Sequence, residues 1–129
     1  MHRPPVLILA WGNPSRGDDA LGPRLIEQLQ DRLTGRRCEF LTDYQLQIEH
    51  ALDLVDRELV VFADAAARGP EPFAFGPVPP DPAAPITTHA LSAGAVLEIY
   101  RRVVGDQAPA SYLLGIRGYR FDLGRDLSH

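Results

Sequence analysis

Four acidic residues and one histidine stand out for where they fall in the chain. Asp18 and Asp19 follow the turn-forming stretch Gly12-Asn13-Pro14-Ser15-Arg16-Gly17. Asp43 ends the run Cys38-Glu39-Phe40-Leu41-Thr42, and Asp64 ends the apolar run Leu59-Val60-Val61-Phe62-Ala63. His89, with Thr87 and Thr88 before it, precedes a segment of helical spacing. Two or three carboxylates with one imidazole make an open oxygen and nitrogen donor set, suited to a borderline divalent metal such as nickel or zinc. So few protein ligands leave positions free for water or substrate. The chemistry is that of a metal-assisted hydrolase or of a metal-sensing binding site. Each residue also has a plainer use. Asp is a good helix cap, an Asp just past a strand is ordinary turn chemistry, and His89 would serve as a loop histidine. The chemical reading rests on their convergence at one crevice.

That convergence depends on the elements between them. Val6-Leu7-Ile8-Leu9-Ala10 is a continuous apolar run, as expected of a central parallel strand. The stretch after it is a strand-to-helix turn, where Gly12 and Gly17 permit sharp backbone turns. A first helix is predicted from about Ala20 to Leu33, with Leu21, Leu25, Ile26, Leu29 and Leu33 as its apolar stripe, Pro23 in its first turn and Gly35 as its stop. Residues 38–42 form a second strand, and 44–56 a second helix with Leu46, Ala51, Leu52, Leu54 and Val55 available for burial. Residues 59–63 form the third strand. The segment from Arg68 to Pro85 is crowded with proline and glycine, with Phe73-Ala74-Phe75 as a short edge strand. A third helix carries Val96, Leu97, Tyr100 and Val103, and a last strand spans about 111–116. This order predicts an α/β fold, a three-layer sandwich whose largely parallel sheet of about five strands is flanked by helices. Ligands of such sheets bind outside the carboxyl ends of the strands, where Asp18, Asp19, Asp43 and Asp64 all fall.

Composition narrows the classes. The 129 residues make one domain, 1–129, of which 45% are hydrophobic and 23% charged, ordinary for a soluble globular protein. A net charge of -4, with no massed basic stripe, gives no case for nucleic acid. The lone Cys38 excludes an internal disulfide and a cysteine zinc cage, and is read as a small buried hydrophobe. The N-terminal apolar stretch is too short for a membrane span and lacks a signal-peptide layout, so a cytoplasmic protein is expected. The first turn lacks the Gly-Lys-Ser/Thr of a P-loop and the glycine spacing of a dinucleotide site, and its two carboxylates would repel a phosphate.

Taken as an ordered set, Gly12-Asn13, Asp18-Asp19, Gly22, Asp64 after an apolar strand and His89 before a helix resemble the NiFe-hydrogenase maturation endopeptidases. The variants Asn13-Pro14-Ser15-Arg16-Gly17-Asp18-Asp19 and Asp43-Tyr44-Gln45-Leu46-Gln47 look most like the members serving bidirectional, NAD-linked hydrogenases. The resemblance implies an enzyme that clips a C-terminal extension from the hydrogenase large-subunit precursor after nickel insertion. Nickel supplied by that precursor would be the recognition signal, touched through Asp19, Asp64 and His89. Asp43 matches a further acidic position and would be a base or positioning group; Asp18 would cap the helix and Asn13 order the loop. A monomer bound one-to-one to that protein partner is the expectation, and charge and hydropathy call for neither nucleic acid nor membrane.

Two departures from the family pattern carry expectations. In place of a glycine-rich stretch after the second strand, this sequence has Tyr44-Gln45-Leu46-Gln47-Ile48-Glu49-His50, with His50 read first as a helix-surface histidine and, as the lesser alternative, as facing the crevice. Relatives continue into a last helix after a segment like Leu123 to Ser128, so the C-terminal helix is expected to be missing and one sheet face left with an exposed apolar patch. Two other classes stay open. One is a nickel-dependent binding or checkpoint protein of hydrogenase maturation without cleavage activity; the other is a generic metal-dependent hydrolase of small substrates, against which the long Pro-rich segment suggests a broad docking surface.

Overall fold

The computed structural model describes residues 3–12, 17, 23–27, 37–66, 72–86, 91–105 and 107–117. Its strands are β1 (Val6–Trp11), β2 (Cys38–Asp43), β3 (Leu59–Ala66), β4 (Phe73–Pro77) and β5 (Ala110–Arg117). The helical pieces are α1 (residues 23–27), α2 (His50–Asp53) and α3 (Ala93–Val103). The strands form one sheet of order β2-β1-β3-β5-β4. Its first three pairings are parallel, and only β4 runs antiparallel, along β5 at the edge. This is the α/β sandwich expected from the alternation of apolar runs and helical spacing.

Register sorts the side chains into two faces. Leu9 of β1 pairs with Leu41 of β2 and with Phe62 of β3, and Leu7 pairs with Glu39 and Val60. Residues in such rows share a face, and alternate residues return to it. This face buries Leu7, Leu9, Val60 and Phe62 against Leu46, Ala51, Leu54 and the α3 residues Val96, Leu97 and Tyr100. The opposite face carries a smaller cluster, Ile8, Ala10 and Ala63 with Ile26 of α1. Around it Val6, Phe40, Val61 and Leu114 are only partly buried. The expectations for Leu21, Leu29, Leu33 and the C-terminal segment lie outside the described residues.

Five sequence expectations need correction. The helix predicted over 44–56 is a loop followed by four helical residues, 50–53. Local bonds divert its backbone: the Tyr44 N–H donates to Asp43 Oδ1 at 2.7 Å, the Gln47 N–H to His50 Nδ1 at 2.8 Å, and the Leu91 N–H to the Leu46 carbonyl at 3.4 Å. Such side-chain and long-range partners compete with a helical ladder, and they let Leu46 enter the core while Leu52 faces out. Val103, at the end of α3, is exposed rather than part of its buried stripe, and Cys38, on the edge strand β2, is only half-buried. Asp64 lies within β3, which continues to Ala66 along β5 rather than stopping at Ala63. His50 is the fifth: it is buried, not a surface histidine.

Candidate active site at the carboxyl edge of the sheet

β1 and β2 end side by side, with Trp11 paired to Asp43, and the chain then turns out of the sheet. Gly12 makes that turn. Its φ of 154° is a backbone conformation that side-chain-bearing residues rarely adopt, and its N–H donates to the Asp43 carbonyl at 3.0 Å. Gly17, at φ 59°, is a second left-handed position in the same connection. A cleft of about 270 Å³ opens there, lined among the described residues by Gly12, Pro23, Thr42, Asp43 and Tyr44. A larger cavity of about 690 Å³ beside Pro77–Pro80 and Gln107–Tyr112 has no carboxylate or imidazole in its described lining. Of these two, only the smaller has a carboxylate in its described lining.

Register brings two of the sequence candidates to this edge. Ala10 pairs with Thr42 on one side and Ala63 on the other, so Asp43 and Asp64 each lie one residue beyond that row. Both fall on the face of Leu9 and Phe62. Two strand spacings of ~4.8 Å put their backbones roughly 10 Å apart. Between them lies Trp11, whose ring meets Phe62 edge-on at 6.2 Å and 78°. That contact packs the end of β1 against β3 on the face that carries the two carboxylates. Asp64 is half-buried, and the Asp43 side chain keeps 40% of its exposure.

Asn13, Asp18, Asp19, Gly22 and His89 lie outside the described residues. The nearest described residue after His89 is Leu91, buried in the same core as Leu9 and Phe62 and bonded to the Leu46 carbonyl. Among the described residues no three His, Cys, Asp or Glu side chains are grouped to hold a metal.

One residue that the sequence places at the crevice only as the lesser alternative stands beside Asp43. His50 is 7% exposed, and its Nε2 lies 3.3 Å from Asp43 Oδ2. The signal that could have found it is the short spacing from Asp43 to His50. It carries this meaning only if the intervening chain is a loop, whereas helical periodicity pointed the other way.

No family model matches this sequence, and no curated protein matches it. Solved structures do. The NiFe hydrogenase maturation protease HycI from Thermococcus kodakarensis is 24% identical, over 98% of this chain and 81% of that one, with a TM-score of 0.74. The hydrogenase maturating endopeptidase HybD from E. coli is 22% identical, over 99% and 81%, with a TM-score of 0.69. The hydrogenase 2 maturation peptidase from a Thaumarchaeota archaeon is 19% identical, over 96% and 85%, with a TM-score of 0.65. The chain has the hydrogenase maturation protease fold. Within that fold, Asp43 and Asp64 lie on the two strands that flank β1, toward the edge where α/β sheets bind their ligands. No described helix is long and apolar enough to cross a membrane.

Proposed function

We propose that this protein is an endopeptidase of NiFe-hydrogenase maturation, of the type serving bidirectional, NAD-linked enzymes. It removes the C-terminal extension of the large-subunit precursor once nickel has been inserted. The observation that carries the reading is the placement of Asp43 and Asp64 on one face, at the carboxyl edge of a sheet whose fold matches the maturation proteases over nearly the whole chain. Nickel arrives as part of the substrate. Asp19, Asp64 and His89 contact it, an oxygen and nitrogen set that fits a borderline divalent ion. Asp43 is the base. Its carboxylate takes a proton from water as the water oxygen bonds to the scissile carbonyl carbon. It returns that proton to the leaving nitrogen as the C–N bond breaks, so that water and one peptide bond become a carboxylic acid and an amine. The enzyme acts in the cytoplasm, as a monomer bound one-to-one to its precursor.

The test mixes the protein with nickel-loaded and nickel-free precursor and follows precursor mass. Loss of a C-terminal peptide from the nickel-loaded form alone supports the proposal, and Asp64→Asn abolishes that loss while the variant stays folded by circular dichroism. Nickel-dependent binding without cleavage would establish a checkpoint protein instead. Normal processing by Asp64→Asn would remove Asp64 from the nickel contact.

A further inference from the structure

We propose that His50 is a positioning residue for Asp43, and that the two form the acid-base unit of the site. The inference rests on the endopeptidase reading above. It starts from the imidazole's own bonds. His50 Nδ1 accepts the Gln47 N–H at 2.8 Å, so the ring proton of the neutral imidazole sits on Nε2. Nε2 faces Asp43 Oδ2 at 3.3 Å. The other carboxylate oxygen, Oδ1, accepts the Tyr44 N–H at 2.7 Å. Both oxygens of Asp43 are therefore met from the protein side, one by backbone and one by imidazole. Asp43 also lines the cleft, with Gly12, Thr42 and Tyr44.

A histidine that served only to hold the loop would need only the Gln47 bond. His50 instead spans two tasks, with one nitrogen on the loop and the other on the carboxylate. Its ring is buried, so neither nitrogen is satisfied by bulk water. A catalytic contact of this kind is commonly long before substrate binds and tightens in the complex. Burial of the ring on α2, beside the core residue Ala51, gives it little freedom to leave Asp43.

Two substitutions separate the tasks. His50→Gln keeps a donor near the position of Nε2 and gives up the Nδ1 acceptor. His50→Asn keeps an acceptor near Nδ1 and gives up the donor to Asp43. With nickel-loaded precursor, His50→Asn lowers kcat roughly ten- to a hundred-fold with KM unchanged. His50→Gln recovers most of that loss, and neither change adds to the effect of Asp43→Asn. Nitrogen NMR of the labelled protein, assigned with His50→Asn, shows the Nε2-protonated tautomer without any precursor present. Wild-type kcat in His50→Asn, equal losses in the two variants, or an Nδ1-protonated ring would each overturn the positioning role. Failure of the wild-type protein to cleave would overturn the endopeptidase reading itself, and this role with it.

Discussion

β2 carries two carboxylates on one face, Glu39 near its start and Asp43 at its end, and they differ in what holds them. Their exposures are close, 38% and 40%, and each meets a nearly buried basic side chain from the segment that follows the strand. Glu39 meets Arg57. That guanidinium is 1% exposed and donates to Glu39 Oε1 at 2.5 Å, to the Asp53 carbonyl at 2.9 Å and to the Pro4 carbonyl at 2.9 Å. A group that never gives up its proton, tied to three separate segments, is a permanent cross-link. Asp43 meets a histidine, whose Nε2 lies 3.3 Å from Oδ2. On the proposed function, the same strand separates fastening from chemistry: the arginine end anchors the sheet, and the histidine end lines the cleft through Asp43.

Exchanging charge for neutrality at each end tests that division. Asp43→Asn is expected to lower kcat for precursor processing by about 10²–10⁴-fold, the usual contribution of a positioned base, with little change in melting temperature. Glu39→Gln should leave processing at the wild-type rate. Equal activity in the two variants would erase the distinction between the ends of the strand.

Arg57→Ala probes the other end. It removes three charge-assisted bonds and a buried stem, while the half-exposed Glu39 regains water. The expected cost is about 2–4 kcal/mol of stability, read by urea denaturation. Processing per folded molecule should not change. A loss of activity without a loss of stability would mean that the two ends act together.

Glu98 of α3 extends the contrast. It is 1% exposed, with Arg101 bonded to both carboxylate oxygens at 2.9 and 2.6 Å and Arg102 at 2.7 Å. Those hydrogen bonds, from Arg101 first and Arg102 second, outweigh burial and lower its pKa from 4.5 to about 2. The unfolded chain therefore takes up this proton first on acidification. The stabilisation is complete above about pH 4.5 and is lost as pH falls toward 2. Acid unfolding should show this loss in wild type, and Glu98→Gln should flatten that part of the curve. A curve unchanged by Glu98→Gln would show that other carboxylates govern acid stability.

What the sequence made legible follows from the reach of each signal. Val6–Trp11 and Leu59–Ala66 are continuous apolar runs because both faces of a central parallel strand are covered, and such runs read plainly. The convergence of Asp43 and Asp64 followed from that, since parallel strands put their ends at one edge. The stretch after Asp43 was misread for an equally physical reason. Leu46, Ala51, Leu54 and Val55 are apolar at spacings a helix would use, yet Leu46 reaches the core from a loop pinned by Asp43, His50 and Leu91. Partners distant in sequence decided that local structure, and no periodicity records them. The same error gave His50 first to the helix surface and left the crevice as its lesser alternative.

The smallest expected effect bears on how firmly the site is seated against α3. Ser92 caps this helix, its hydroxyl accepting the Ala95 N–H at 3.1 Å. Ser92→Ala should cost about 1 kcal/mol, as lost N-caps do. In sequence the cap stands just after His89, and the neighbouring Leu91 N–H bonds the Leu46 carbonyl in the loop that carries His50 toward Asp43. If α3 acts only as core, precursor processing by Ser92→Ala should match wild type once the small loss of folded protein is allowed for. A several-fold larger drop in kcat would mean that the cap also holds the histidine side of the cleft. The line between fastening and chemistry would then run through α3, not only along β2.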